Sequence, residues 1–227
     1  MKISDKFGQF YSQKKCTNLY PTEFVIRTFL GKYPYLNIHE RSYAQKKILD
    51  LGFGDGRNLE FLCKLGFNVY GVETSNQIID LALQFTDKKQ LSIDLRVGHN
   101  ASIPFENGEF DFLLACHSCY YLAGDDCFEK NLAEMARVMK SGATMVASFP
   151  TTGNFILDSS NLQYGNYAEI IDDPYGLRNG CRIKYFTSKD EIKECLAPYF
   201  KNFSYAVTDD DYFGIRVRAY IVVCERL

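Results

Sequence analysis

The feature that most constrains this chain is the passage from "KKILDL" (46–51) through Gly52, Gly54 and Gly56 into "RNLEFLCKLG" (57–66). An apolar run stopped by glycine reads as a buried strand. The apolar positions 59, 61, 62 and 65, ending on Gly66, read as a helix with a glycine cap. One glycine between the two would suit a tight turn or close packing. Three at alternate positions suggest a backbone that bends and also lets a ligand approach with no side chain in the way.

The alternation continues along the chain. "FNVYGVE" (67–73) is a second strand, and "SNQIIDLALQF" (75–85) a helix opened by a Ser75 cap, with apolar positions 78, 79, 81, 82 and 85 on one face. "LSIDLRVG" (91–98) and "FDFLLAC" (110–116) give a third and a fourth strand. "DDCFEKNLAEMARVMKSG" (125–142) is an amphipathic helix capped at both ends, and "ATMVASFP" (143–150) a fifth strand. Strand and helix taking turns predicts an α/β fold of parallel strands joined by right-handed crossovers.

After Pro150 the rhythm breaks. Residues 151–187 hold glycines, asparagines, tyrosines and "DDPYGLRNG", and read as a long surface insertion rather than core. A helix over 188–200 and two strands over 202–208 and 214–226, around the turn-rich "DDDYFG", close the chain as an antiparallel pair. Ahead of the first strand, "TEFVIRTFLGKYP" predicts a helix that caps the sheet. The expected division is one domain over 1–227: a helical cap (1–45), a cofactor-binding core (46–150), a substrate lid (151–187) and a closing unit (188–227).

Composition narrows the partners. With 26 basic and 28 acidic side chains and a net charge of −2, the chain has no basic stripe of the kind a nucleic-acid footprint needs. No run approaches the ~20 apolar residues of a membrane span, and "MKISDKFGQF" lacks the apolar core of a signal peptide. The expectation is a soluble cytoplasmic protein whose eight scattered cysteines are reduced thiols. "CHSC" (116–119) has no second pair and no HxxxH partner, and only His39, His99 and His117 are available, so two thiols at a strand end are expected and no metal.

The spacing of the glycine loop, Asp50-x-Gly52-x-Gly54-x-Gly56, differs from the dinucleotide fingerprint GxGxxG, because Arg57 stands where its third glycine would be. That disfavours a nicotinamide dehydrogenase. Glu73 ends the second strand about 20 residues on, where a carboxylate can accept from both hydroxyls of a ribose.

These segments together resemble the class I S-adenosylmethionine-dependent methyltransferases: "ILDLGFGDG" their first motif, "VYGVETS" their acidic second-strand end, and "GHNASIPFENGEFDFLLA" their third-strand end and fourth strand. The resemblance covers roughly residues 46–150. It implies a Rossmann-like seven-stranded, mostly parallel sheet with an antiparallel last strand and helices on both faces. It also implies S-adenosylmethionine as cofactor, S-adenosylhomocysteine being the product. Gly52, Gly54 and Gly56 would then line its methionine part, Asp50 would order the loop, and Glu73 with Thr74 would hold the ribose. His99, Asn100 and Ala101 would meet the adenine, His99 standing where the family usually has Asp.

The acceptor belongs beyond the carboxyl ends of the strands. "ACHSCYYL" puts His117 there, as general base or orienting group for a hydroxyl, with Tyr120 and Tyr121 just past it. The Asn/Asp-Pro-Pro-aromatic run common in enzymes that methylate nucleobase or glutamine nitrogens is absent. Tyr11, Tyr120, Tyr121, Arg178 and Asn179 are the candidate substrate contacts, Arg178 as a partner for phosphate or carboxylate. The expected activity is O-methylation of a small polar metabolite such as a sugar or sugar conjugate. The alternatives are N- or C-methylation on the same fold, or a non-catalytic cofactor-binding subunit of another chain. A homodimer is left open.

Overall fold

The computed structural model describes residues 3–13, 19–38 and 42–227, so that His39 and Cys16 lie outside the described residues. Its centre is a seven-stranded sheet of order β10-β11-β6-β4-β1-β2-β3. The strands are β1 (Lys47–Leu51), β2 (Asn68–Glu73), β3 (Asp94–Val97), β4 (Phe110–Ala115), β6 (Met139–Pro150), β10 (Phe200–Tyr212) and β11 (Ile215–Arg226). The β1, β2, β3, β4 and β6 pairings are parallel, whereas β11 runs antiparallel to both β6 and β10. The last strand is thus the reversed one, seated between β6 and β10.

Side-chain alternation explains why both faces are covered. Ile48, Val69, Phe112, Leu114 and Val146 point to one face, where they pack with Phe24, Val25 and Phe29 of α2 (Glu23–Leu30), Leu59 and Leu62 of α3 (Leu59–Lys64) and Ile78 of α4 (Asn76–Lys88). Leu49, Leu51, Leu113, Met145 and Ala147 point to the other, against Phe128 and Leu132 of α5 (Phe128–Val138) and Ile192 and Leu196 of α7 (Lys189–Leu196). Ser75 caps α4 as its spacing predicts, its hydroxyl accepting from the Ile78 amide at 3.4 Å. A further helix, α1 (Ile3–Gln13), precedes the expected sheet-capping helix and packs on α4. No helix among the described residues is long and apolar enough to cross a membrane.

Three expectations are corrected. Helix α5 ends at Val138 and β6 begins at once, so "MKSG" is strand rather than helix end; Gly142, at φ +78°, sits beside the register shift between Phe110 and Phe112. Strand β10 runs through Asp209–Asp211, a run that reads as a turn: Arg218 and Arg216 stand opposite Asp209 and Asp211, and both pair with Asp209, at 3.3 and 2.7 Å. The turn itself is only Phe213-Gly214, both at positive φ.

The third correction bears on the site. Residues 151–187 are not a surface loop: they contain α6 (Phe155–Asp158), β7 (Ser160–Gln163), β8 (Tyr167–Ile170) and β9 (Arg182–Lys184). With β5 (Tyr121–Leu122) these strands form a second, antiparallel sheet of order β5-β9-β8-β7. One of its faces buries Ala168, Ile170 and Ile183 in the main core, which Phe186, two residues past β9, also joins. Of the glycines and asparagines that suggested a loop, Gly165, Asn166, Gly176 and Gly180 lie between its strands, all at positive φ.

Candidate functional site

The carboxyl ends of β1, β2 and β4 open into a cavity of about 900 Å³, lined on one side by Gly52, Gly54, Glu73 and Thr74 and on the other by His117, Tyr121 and Arg178. The loop after β1 is built on left-handed backbone: Gly52, Gly54 and Gly56 have φ of +73°, +59° and +79°. A methyl on Gly52 would collide with the side chain of Ser118 at the end of β4. One on Gly54 would come within 2.7 Å of the Tyr11 hydroxyl. Glu73 ties this loop to β2, its Oε1 accepting from the Gly54 amide at 2.9 Å and its Oε2 from the Thr74 amide at 2.8 Å. Burial raises the Glu73 pKa, and these hydrogen bonds work against the rise.

Residues 49–147 match the model of a methyltransferase domain. A ubiquinone biosynthesis O-methyltransferase of Maricaulis maris is 31% identical over 110 residues, 48% of this chain and 42% of its own. Another, of a Chelativorans species, is 30% identical over 155 residues, 66% of this chain and 56% of its own. A SAM-dependent methyltransferase of Methanosarcina mazei superposes with a TM-score of 0.64 at 19% identity, over 86% of this chain and 98% of that one. Residues 49–147 are thus those of a methyltransferase domain, and the sheet around them has the fold of the class I S-adenosylmethionine-dependent methyltransferases, to which the chain is similar. The chain spans about half the length of the curated relatives it matches.

The residues fit the cofactor of this methyltransferase family. Beneath the loop, both oxygens of the fully buried Asp50 lack a hydrogen-bond partner among the described residues. Burial, then the charges of Glu73 and Asp55, push its carboxyl up to about 8. Asp50 is thus mostly protonated at pH 7 and Asp55 pairs with Arg57 at 2.9 and 2.7 Å, which leaves the Glu73 carboxyl at the cavity with no cationic partner among the described residues. A cation-bearing ligand such as a sulfonium suits that imbalance.

The predicted cofactor residues divide. Gly52, Gly54, Glu73, Thr74, His99 and Asn100 line the cavity, whereas Asp50, Gly56 and Ala101 do not. Gly56 faces Leu59 and Ala82 and serves packing. The Ala101 amide donates to His99 Nδ1 at 3.3 Å. The Asn100 amide group donates to the Ser118 and Tyr121 carbonyls, so it braces the wall and leaves only its Oδ1 for a ligand.

On the opposite wall, His117 holds left-handed backbone at φ +55°, strained for a residue with a side chain. Ser148 of β6 fixes it: its hydroxyl accepts from the His117 amide at 2.8 Å and lies 3.1 Å from Nδ1. Phe24 packs edge-on against the imidazole at 5.5 Å. Burial, then Arg178 and Arg57, lower the His117 pKa to about 4, so the ring is neutral at pH 7. Its far side borders a second cavity of about 890 Å³ between α2 and β10–β11.

Helix α1 covers the cavity, with Phe7 reaching Tyr121 edge-on at 6.3 Å. Burial, then Glu73 and Asp55, raise the Tyr11 pKa, which keeps its hydroxyl a donor. Tyr120 and Tyr121 stack at 4.8 Å, and both line the cavity with Arg178. Asn179 does not line it; its Oδ1 accepts from the Asp173 amide at 2.7 Å and shapes the loop. Sequence reasoning missed Ser118, Ser148, Phe7 and Asp173. Asp173 was within reach, as the acid five residues before Arg178 in "DDPYGLRNG".

Proposed function

We propose that this protein is a cytoplasmic methyltransferase that moves the methyl of S-adenosylmethionine to a hydroxyl oxygen of a small polar acceptor, such as a sugar or sugar conjugate. The observation that carries the reading is the single cavity that joins the Gly54–Glu73 loop to His117. Transfer to oxygen draws support from the name of the curated relatives and from a neutral imidazole where a hydroxyl would lose its proton. The even charge balance favours a small molecule over nucleic acid.

When bound, the cofactor supplies an electrophilic methyl group and a neutral thioether as leaving group. Glu73 and Thr74 hold the ribose, with His99 and the Asn100 Oδ1 at the adenine. Tyr11, Tyr121 and the segment 151–187 close over the acceptor, exclude water and align its oxygen for in-line attack. The hydroxyl proton passes to His117 Nε2, which requires the Nδ1 proton to point at Ser148.

The test is a labelled-methyl assay with hydroxylated acceptors, product identification and the variant His117→Asn. The expected result is label on oxygen and a turnover about 100-fold lower in the variant at saturating acceptor. Label on nitrogen or carbon, or near-normal turnover in the variant, removes the base role. Binding of S-adenosylmethionine with no methyl release to any acceptor supports the non-catalytic subunit instead.

A further inference from the structure

The acceptor end of the cavity contains a fixed cation. Arg178 sits in the loop between β8 and β9, where its Nη1 donates to both oxygens of Asp173 at 3.1 and 3.2 Å and its Nε donates to the Tyr121 hydroxyl at 3.1 Å. Its guanidinium lies 5.5 Å from the ring centre of Phe155 and 5.7 Å from that of Tyr175. Asp173 is itself buried, and its Oδ2 also accepts from the backbone amides of Leu177 and Arg178 at 2.9 and 3.0 Å. The carboxylate therefore spreads its charge over two amides as well as the guanidinium, and it fixes Arg178 from behind.

Nη2 has no hydrogen-bond partner among the described residues, and Arg178 lines the same cavity as Glu73 and His117. The cavity is consequently polarised. Its floor at the glycine loop carries the Glu73 carboxyl beside the Asp55–Arg57 pair, and its far end presents the Nη2 of Arg178. Tyr11 between them feels the charges of Glu73, Asp55 and Arg178. Desolvating a guanidinium and leaving the Nη2 donors unpaired is poorly repaid by neutral hydroxyls, whereas a charged oxygen at Nη2 makes the stronger, charge-assisted hydrogen bond.

We propose that Arg178, positioned by Asp173, is an anion-recognition point that restricts the acceptor to hydroxy compounds carrying a carboxylate or a phosphate. The inference rests on the methyl-transfer reading for what is done to that acceptor, but the recognition of an anion can be measured apart from it.

The experiment is a calorimetric titration with phenyl phosphate, benzoate and neutral phenol, run with and without saturating S-adenosylhomocysteine. At least one anion is expected to bind about tenfold or more tightly than phenol, a margin of about 1.4 kcal/mol. Preference between the two anions tells phosphate from carboxylate. In Arg178→Met the margin is expected to fall within twofold, and in Arg178→Lys, which keeps the charge and loses the fork, at least threefold. Phenol binding as tightly as both anions overturns the proposal, as does a margin unchanged in Arg178→Met. Should that variant unfold by circular dichroism, an unchanged margin in Arg178→Lys overturns it alone. A protein that fails to bind S-adenosylhomocysteine breaks the methyltransferase reading instead, since the titrations without it still report on Arg178.

Discussion

The two ends of the cavity are built in opposite ways. The end proposed for the donor is assembled mainly within residues 50–74, with His99 and Asn100 beside it, and largely from backbone: left-handed glycines, and amides that grip Glu73. The acceptor end is assembled from side chains of five distant segments, with Tyr11 on α1, His117 after β4, Tyr121 on β5, Ser148 on β6, and Asp173 with Arg178 between β8 and β9. Backbone geometry can be specified by a few adjacent residues, because glycine alone relaxes the steric limits on φ. Side-chain geometry depends on the pairing of strands far apart in sequence, as in the ladder that sets Tyr121 opposite Ile183.

If that contrast holds, the two ends break independently. The largest effect is expected from Glu73→Ala, which should weaken S-adenosylhomocysteine binding by about 100-fold, roughly 2.7 kcal/mol, in calorimetry. The preference of the ligand-free protein for phenyl phosphate or benzoate over phenol should survive. Loss of both would merge the two ends into one cooperative unit.

Asp173→Ala tests the other end. With its brace gone the guanidinium loses its aim, and KM for an anionic acceptor should rise about tenfold while kcat changes less than twofold. Affinity for S-adenosylhomocysteine should stay within twofold. A fall in kcat equal to the rise in KM, or a weakened cofactor, would mean that Asp173 supports the fold and not the aim of Arg178.

Asp50 and His117 give smaller effects of opposite sign. The Asp50 carboxyl is raised from its ordinary value near 3.8 to about 8, so its contribution to stability is present at low pH and lost as pH rises between those values. Asp50→Asn should stabilise the ligand-free protein at pH 8 by about 1–3 kcal/mol in thermal melts, and weaken S-adenosylhomocysteine. His117 is lowered to about 4, so its contribution is present above its ordinary value near 6.5 and lost as pH falls toward 4. The rate profile should therefore stay flat between about pH 5 and pH 7. A limb near pH 6.5 would show an imidazole exposed to water.

The same contrast explains what was legible in the sequence. Short apolar runs located the strands of the parallel core, because burial on both faces leaves little choice of residue at Ile48, Leu49 or Leu113. Glu73 was legible through its distance from the glycines. The small sheet over 160–184 was not, since its short strands "SNLQ" and "YAEI" carry little apolar signal and owe their pairing to the core beneath. Ser148 looked like a strand residue until its hydroxyl met His117, and Asn179 looked like a ligand contact until it turned inward to Asp173. Gly56 and Ala101 were assigned by motif position, whereas the curve of their loops turns them away from the cavity.

The most direct test of the central claim, that the loop closed by Glu73 holds an adenosyl methyl donor, is titration of the protein with S-adenosylhomocysteine and with NAD, in wild type and Glu73→Ala. The expected result is one S-adenosylhomocysteine per chain, no measurable NAD, and a loss of affinity of about 100-fold in the variant. Preferential binding of NAD, or S-adenosylhomocysteine binding indifferent to Glu73, would contradict it.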